Sequence, residues 1–326
     1  MRRVPPSRPA PTRLRSWRQR SNPSQAGWQE AERAARAALA TRADTAALAA
    51  AAFEPVTGSL SNFAWHVSVP GQDRFVRYAR AGTERLGADL HAEGEILRLV
   101  AAAGLAPRVV RCDPSARLLV TQWIASAQGD PSAEGRDQRI RRVAAMLRQL
   151  HELTPPAGVR AIDFAVQARP LESALPAQVA QPALTACAAL VLSKLGPARA
   201  IALCHHDVHA QNLVTDPAGR LWLVDWEYAG LGDPVFDLAS CASQLDLSAE
   251  GTRDLCDEYI RAGGTVEQGR LDLARWAFDY VQWLWYRGLV ASAAPGPDAS
   301  EAALRAERIE RDLQTRASGV LRCNNH

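Results

Sequence analysis

Lysine is almost absent from this chain of 326 residues, which carries a single lysine, Lys194, among its 38 basic residues. Any chemistry that needs a side-chain cation must therefore use arginine. Long apolar runs are absent as well. The two most apolar stretches, residues 46–53 and 186–192, are shorter than the roughly 20 residues that a membrane helix needs. The beginning of the chain also lacks the apolar core of a secretory signal.

Cysteine is scarce and scattered. The chain has six cysteines and no C-x-x-C pair, at Cys112, Cys187, Cys204, Cys241, Cys256 and Cys323. This spacing argues against a disulfide framework or a zinc site, and it is typical of a protein from a reducing compartment. We therefore expect a cytoplasmic protein.

Acidic residues are absent from residues 1–29, which contain seven arginines and five prolines. We predict that this segment is a disordered extension. A non-specific anion-binding tail, a misassigned start and a transit peptide are the alternatives for it. It accounts for the formal net charge of +3, because the rest of the chain has 31 basic and 35 acidic residues. The mildly acidic remainder lacks the basic footprint of a nucleic-acid-binding protein. We expect a small-molecule partner and neither a nucleic acid nor a membrane.

Hydrophobic periodicity divides the rest of the chain into two lobes. Five short runs predict strands, at residues 53–56, 63–69, 74–79, 108–112 and 117–121. One helix is predicted between them, over 86–104, and beyond residue 124 the pattern turns helical, with helices over 137–153 and 171–195. The predicted fold class is therefore α+β, with a small β-rich lobe over 30–124 and a larger helical lobe over 125–326.

A compact polar segment interrupts the helical lobe at residues 204–227. It contains His205, Asp207 and Asn212, followed by a Pro-Ala-Gly turn and an apolar strand that ends in Asp225. Phosphoryl transfer needs these residue types. Asp207 can orient or deprotonate an attacking hydroxyl, whereas Asn212 and Asp225 offer the hard oxygen ligands that Mg²⁺ prefers. A hairpin between Asn212 and Asp225 would bring both ligands to one edge.

The same segment permits two other interpretations. One is a metallohydrolase site, because His205, His206, Asp207 and His209 lie close together. The adjacent histidines at 205 and 206 do not have the H-x-H spacing that such a site requires. The other is a buried polar hairpin that contains these residue types by chance.

The segment resembles the aminoglycoside phosphotransferase and choline kinase superfamily. The run H-H-D-V-H-A-Q-N from His205 to Asn212 matches that family's catalytic loop, H-x-D-x4-N, and D-W-E-Y from Asp225 matches its metal-binding segment. The resemblance covers roughly residues 53–290 and looks closest to bacterial thiamine kinases, then to choline kinases. It implies a protein-kinase-like bilobal fold and an ATP- and Mg²⁺-dependent reaction. His205 and Asp207 would be catalytic, and Asn212 and Asp225 would hold the metal.

The resemblance also implies a nucleotide site in the small lobe. The run T-G-S-L-S-N resembles the family's phosphate-covering turn, in which small residues and backbone N–H groups approach the phosphates. The contacts expected from it are Gly58, Ser59, Ser61 and Asn62. Kinases carry a cation over the phosphates on the third strand, where this chain has Arg77, with Arg80 as the substitute.

A helix glutamate normally orients that cation. Glu93 lies fourteen residues before the next proline, as in choline kinases, so we prefer it to Glu95, which would point about 200° away on an ideal helix. The run V-T-Q-W-I resembles the family's hinge, where backbone groups of Gln122 and Ile124 would meet the adenine. Trp123 could contact the adenine or pack between the lobes.

The acceptor pocket is the least determined part of the sequence. Trp276, Trp283 and Trp285 share one predicted helix with aromatic side chains on two faces. Such a helix is explained by core packing, or alternatively by a cation–π box for a quaternary nitrogen. His209 and Glu227 are further candidate acceptor contacts.

The expected function is phosphorylation of a small cationic alcohol, with thiamine ranked first and choline or ethanolamine second. An aminoglycoside or amino-sugar kinase is the alternative within the same class. A catalytically inactive nucleotide-binding scaffold on the same fold is the alternative from another class. The presence of both Asp207 and Asp225 favours an active enzyme, and D-W-E in place of D-F-G argues against a protein kinase.

Overall fold

The computed structural model of the protein describes residues 25–56, 62–81, 89–127, 135–199, 201–292 and 297–322. An antiparallel sheet forms the small lobe and helices form most of the larger one, which confirms the predicted α+β fold class. Among the helices in these ranges, none is long and apolar enough to cross a membrane.

Five antiparallel strands build the small lobe, in the order β1-β2-β3-β5-β4. They are β1 (Phe53–Pro55), β2 (Asn62–Val69), β3 (Gln72–Ala79), β4 (Val109–Asp113) and β5 (Leu118–Gln122). Gly71, with a φ of 75°, lies in the two-residue turn between β2 and β3, where a left-handed conformation favours glycine. Because side chains alternate along β3, Val76 and Tyr78 face one side of the sheet and Arg77 faces the other.

Two helices, α1 (Gln25–Ala40) and α2 (Ala46–Ala49), pack on the face that carries Val76 and Tyr78. Trp28 of α1 lies edge-on against the rings of Phe63 and Trp65, with centroids 5.1 and 5.6 Å apart. The predicted boundary of the disordered extension is therefore wrong at its C-terminal end. Residues 25–29 are helical because Trp28 packs on the sheet, and residues 1–24 lie outside the described residues.

Helix α3 (Leu90–Ala102) packs against β4. Its N-terminus is capped by Asp89, whose carboxylate accepts hydrogen bonds from the backbone N–H groups of His91 and Ala92 at 2.9 and 3.1 Å. The apolar side of α3 joins the core that continues into the large lobe. The small lobe is thereby attached to the large one through this helix.

The large lobe is mainly helical, with short paired strands beside the cleft between the lobes. Its elements are α4 (Arg136–His151), α5 (Phe164–Ala174), α6 (Pro182–Leu195), β6 (Ala202–Cys204), β7 (Leu213–Thr215), β8 (Leu221–Leu223), β9 (Gly230–Gly232), α7 (Val235–Gln244), α8 (Ala249–Arg261), α9 (Gln268–Ser292) and α10 (Pro297–Arg322). The predicted single helix over 171–195 is wrong. The chain breaks there between α5 and α6, around Pro176 and Pro182, because proline lacks an N–H and restricts the residue before it.

Candidate active site between the lobes

The hairpin of β7 and β8 brings the two predicted metal ligands to one edge, which confirms the predicted hairpin. In its turn, the carboxylate of Asp216 accepts the backbone N–H groups of two later turn residues at 2.9 Å. At the open end, the N–H of Val224 donates to the carbonyl of Asn212 at 2.9 Å. Asn212 and Asp225 therefore lie side by side across the hairpin.

Asp237, near the start of α7, holds the backbone that precedes Asp207. Its carboxylate is fully buried and accepts the N–H groups of His205 and His206 at 2.8 and 2.7 Å. It also faces Nε2 of His151 at 3.1 Å. Burial alone would raise the pKa of Asp237, but the hydrogen bond and charge of His151 and the backbone donor lower it to about 2.

Two further hydrogen bonds join the group of residues around Asp237. The hydroxyl of Ser240 on α7 accepts the N–H of Val208 at 3.0 Å, and Nδ1 of His151 lies 2.8 Å from the hydroxyl of Tyr259. Sequence analysis missed Asp237, Ser240 and His151. A usable signal existed for Asp237, because it is an acidic residue in the middle of an apolar helical run.

His151, Cys204 and Asp237 lie close enough together to be considered as metal ligands, since their candidate atoms are within 4.8 Å of one another. Asp237 is already bonded to three donors. Cys204 is buried, and burial raises the pKa of its thiol well above its ordinary value. We interpret the group as a hydrogen-bond network.

His205 lies behind the site and does not reach the cleft. Its ring is fully buried, 4.7 Å from the ring of Trp226, and burial lowers its pKa. Nδ1 accepts the N–H of Asp207 at 3.3 Å, so the proton resides on Nε2, which donates to the carbonyl of Val224 at 3.0 Å. The predicted catalytic role is corrected to a positioning one, because the ring joins the catalytic loop to the strand before Asp225.

Asp207 faces the cleft with 24% of its side chain exposed. Its Oδ2 lies 3.4 Å from Nδ2 of Asn212 and 3.4 Å from Nε2 of His209. Because Nδ1 of His209 accepts the N–H of Gln211 at 3.2 Å, the ring proton of His209 resides on Nε2, toward Asp207. Nδ2 of Asn212 donates to the carbonyl of Asp207 at 2.9 Å, which leaves Oδ1 for a metal ion.

Arg77 reaches across the cleft from β3. Its buried guanidinium pairs with Glu93 of α3, and its Nη1 donates to Oδ1 of Asp225 at 3.2 Å. Burial lowers the pKa of Arg77, but the surrounding carboxylates raise it above its ordinary value. The structure thus brings together the predicted cation and the preferred glutamate. Glu95 is exposed and pairs with Arg98.

Arg80 lies on the opposite side of the sheet from Arg77. Its guanidinium carbon is 5.6 Å from the centroid of the Phe63 ring, which packs under α1. Of the two candidate arginines, Arg77 is therefore the one that faces the cleft.

Asp225 combines strained backbone with concentrated negative charge. It has a φ of 65°, which is uncommon for a residue other than glycine. Burial and then the charge of Glu227 raise the pKa of Asp225 well above its ordinary value. A cation bound there would relieve this repulsion, and the carboxylate of Asp225 and Oδ1 of Asn212 are hard oxygens. The residues present therefore fit Mg²⁺.

The remaining predicted nucleotide contacts are only partly described. Gly58, Ser59 and Ser61 lie outside the described residues. Asn62 is buried at the start of β2, where its Nδ2 donates to Oε2 of Glu227 at 2.7 Å.

The hinge residues follow β5. The N–H of Gln122 donates to the carbonyl of Arg108 at 2.8 Å, within the sheet, and Ile124 is half-buried. Trp123 stacks on His66 of β2, with ring centroids 4.3 Å apart. Trp123 thus packs on the small lobe through this stack.

The aromatic residues of α9 form part of the large-lobe core. Trp276 and Trp283 are fully buried and stack on the two sides of Tyr280, at 5.7 Å each. Their ring N–H groups donate to α10, at Leu313 (3.1 Å) and Glu310 (3.0 Å). The cation–π box is therefore wrong for these two tryptophans, because α10 covers them.

Trp285 differs from the other two tryptophans of the predicted box. It is half-buried and packs edge-on against Tyr286, with centroids 5.0 Å apart. Its contact is thus with its own helix.

Comparison with known proteins identifies the family. The model of the phosphotransferase enzyme family matches residues 52–278, more than half of the chain, and the chain belongs to this family. Over 89 residues it is 30% identical to the protein LicA of Haemophilus influenzae, which covers 25% of this chain and 33% of LicA. The chain thus spans about a third of the length of that relative.

Solved structures share the fold over most of the chain. A choline/ethanolamine kinase family protein from Mesorhizobium loti is 25% identical, with a TM-score of 0.69 over 88% of this chain and 97% of that one. Choline kinase LicA from Streptococcus pneumoniae is 19% identical, with a TM-score of 0.67 over 81% and 93% of the two chains. The predicted kinase-like bilobal fold and the predicted superfamily are both confirmed.

Proposed function

We propose that this protein is an ATP- and Mg²⁺-dependent kinase that phosphorylates the hydroxyl of a small alcohol carrying a nitrogen cation. The observation that supports it is the convergence of Arg77, Asp207, Asn212 and Asp225 on the cleft between the lobes. These four residues come from β3, the catalytic loop and the two ends of one hairpin. Membership of the phosphotransferase enzyme family supports the same reaction.

Asp207 is the residue that meets the acceptor hydroxyl. Its carboxylate accepts a hydrogen bond from the acceptor hydroxyl and orients the hydroxyl oxygen toward the γ-phosphorus of ATP. It takes up the hydroxyl proton as the new O–P bond forms and the bond from the γ-phosphorus to the oxygen of the leaving ADP breaks. The proton of His209 on Nε2 and the amide of Asn212 lie on Oδ2 of Asp207 and hold the carboxylate in place. Positioning is the main contribution that a protein makes to this reaction.

Asn212 and Asp225 would hold Mg²⁺, and Arg77 would meet the phosphates. When bound, Mg²⁺ supplies positive charge against the phosphate oxygens. Glu93 fixes the guanidinium of Arg77, whose planar fork of N–H groups fits phosphate oxygens.

The acceptor class rests on charge and on the relatives. On the large-lobe side, the cleft presents the carboxylates of Asp207 and Asp225, which favour a cationic acceptor. The names of the compared structures favour choline or ethanolamine. Thiamine, which the motif resemblance ranked first, combines a primary hydroxyl with a nitrogen cation and belongs to the same chemical class.

A panel of acceptors tests the proposal. Release of ADP from Mg·ATP would be measured with choline, ethanolamine, thiamine, an aminoglycoside and a neutral sugar, with Asp207→Asn as the inactive control. We expect choline, ethanolamine or thiamine to give a kcat/KM at least about tenfold above the sugar. ADP release that no acceptor stimulates would overturn the kinase proposal. Faster turnover of the sugar or the aminoglycoside would overturn only the acceptor class.

A further inference from the structure

Two side-chain contacts join the lobes at the D-W-E segment that follows β8. Arg77 of β3 donates to Asp225 at 3.2 Å, and Asn62 of β2 donates to Glu227 at 2.7 Å. β2 and β3 are neighbours in the sheet, with Ala64 opposite Arg77. One short segment of the large lobe is thus held from two adjacent strands of the small lobe.

The contact between Asn62 and Glu227 is buried. The two residues are 3% and 6% exposed, so the Glu227 carboxylate depends on protein donors in place of water. A hydrogen bond from an amide to a carboxylate is stronger than one between neutral groups.

The large lobe fixes the backbone on which Glu227 is carried. Trp226, the preceding residue, is 1% exposed, and its Nε1 donates to the carbonyl of Leu223 at 3.0 Å. The N–H of Ala229 donates to the carbonyl of Trp226 at 3.0 Å. The large lobe therefore holds Glu227 in place. Its hydrogen bond to Asn62 positions β2, the strand that carries Asn62.

This geometry indicates a role for Glu227 other than contact with the acceptor. A residue that binds a cationic acceptor would direct its carboxylate at the acceptor, whereas Oε2 of Glu227 is directed at the small lobe. In sequence, Asn62 is the last residue of the run 57–62, which is expected to cover the phosphates. The contact therefore joins the start of β2 to the segment that carries Asp225.

We propose that Asn62 and Glu227 form an interlobe latch, which sets the small lobe over Asp225 so that the nucleotide is held in register with Asp207. Glu227 is thereby a positioning residue for phosphoryl transfer. The latch rests on the proposed kinase function, because its effect is exerted on the bound nucleotide.

A double-mutant cycle tests the latch. Affinity for the magnesium complex of a non-hydrolysable ATP analogue would be measured by calorimetry for Asn62→Asp, Glu227→Gln and the double variant. Asn62→Asp places two carboxylates against each other, and we expect binding about tenfold or more weaker. Glu227→Gln keeps an acceptor oxygen, and we expect a loss of about threefold or less. The double variant exchanges donor and acceptor across the same contact, so its affinity should return to that of Glu227→Gln.

Controls separate the latch from a general effect on charge or folding. Gln29→Glu adds a carboxylate to the exposed side of α1, which packs on the sheet face opposite Arg77, and should leave the affinity unchanged. If Asn62→Asp does not fold, Asn62→Ala and Glu227→Ala replace the two single variants, and Asn62→Ala should weaken binding in wild type but not in the Glu227→Ala background, which has no acceptor to lose. Thermal melts of every variant identify a folding defect.

The outcomes that overturn the latch differ from those that overturn the kinase. Additive effects of the two single variants on affinity would overturn the latch alone. A raised acceptor KM for Glu227→Gln, with unchanged nucleotide affinity for Asn62→Asp, would also overturn it and return Glu227 to the acceptor pocket. A wild-type protein that binds no magnesium nucleotide would overturn the proposed function together with the latch.

Discussion

The segment 204–227 and helix α9 are both buried and both rich in aromatic and polar side chains, yet they serve different ends. In the segment, buried side chains such as His205 hold the backbone, while Asp207 and Asp225 keep 24% and 35% of their side chains exposed toward the cleft. In α9, the polar atoms of the buried rings bond to neighbouring helices. The two regions therefore differ in the partners of their buried polar atoms. In the segment these atoms bond to the backbone beside the exposed carboxylates, whereas in α9 they bond to other helices.

Asp207→Asn gives the largest expected effect on the active-site side of this comparison. The amide cannot take the hydroxyl proton, so we expect kcat to fall about a thousandfold. Nucleotide affinity and melting temperature should stay close to wild type. Steady-state kinetics and calorimetry check the result, with Asp246→Asn as the matched control at an exposed position. A kcat above roughly a tenth of wild type would contradict the assignment of Asp207.

Trp276→Leu and Trp283→Leu test the core side. Truncation of a fully buried tryptophan leaves a cavity, and we expect about 3 kcal/mol lower free energy of unfolding in urea, with unchanged acceptor KM. Trp285→Leu is the half-buried control and should lose less. A raised acceptor KM at unchanged stability would show that these rings do line the pocket.

Asp237 links the two regions through pH. Its folded pKa of about 2 lies below the ordinary 3.8, so it contributes stability above about pH 4 that is lost as the pH falls toward 2. The contribution is about 2 kcal/mol at neutral pH. Asp237→Asn should lower stability at pH 7 and flatten the dependence of unfolding free energy on pH between 4 and 2. The unfolding free energy would be measured in urea at several pH values. If it depends on pH between 4 and 2 as it does in wild type, the role of Asp237 in holding this backbone is contradicted.

Glu93→Gln and Glu95→Gln form a matched pair with the smallest expected effect. Glu93 fixes Arg77, so its neutralisation should raise KM for ATP about tenfold, equivalent to about 1.4 kcal/mol. Glu95 pairs with Arg98 at the surface, and its variant should behave as wild type. Initial rates over a range of ATP concentrations distinguish the two. Equal effects would mean that the helix, and not the ion pair, affects ATP binding.

Local spacing was enough to predict the two lobes, the hairpin and the separate positions of Glu93 and Glu95. These features depend on residues within one or two turns or strands of each other, where period and turn chemistry operate. The same local patterns placed the end of the disordered extension at residue 29, inside α1, and missed the break between α5 and α6. In the second case the two prolines of the segment were present but were outweighed by its alanine and leucine content.

By itself, the sequence determined which side chains the candidate site contains, because one predicted hairpin brings Asn212 and Asp225 together and Asp207 lies five residues before Asn212. Only the tertiary structure decided which residues support them. Asn62 and Glu227 are 165 residues apart, and Asp237 follows His205 by 32, so no local pattern marks either contact. The tertiary structure also decided that α10 covers the tryptophans of α9. An amphipathic or aromatic pattern shows that a side chain is buried, but its partner depends on how distant elements pack.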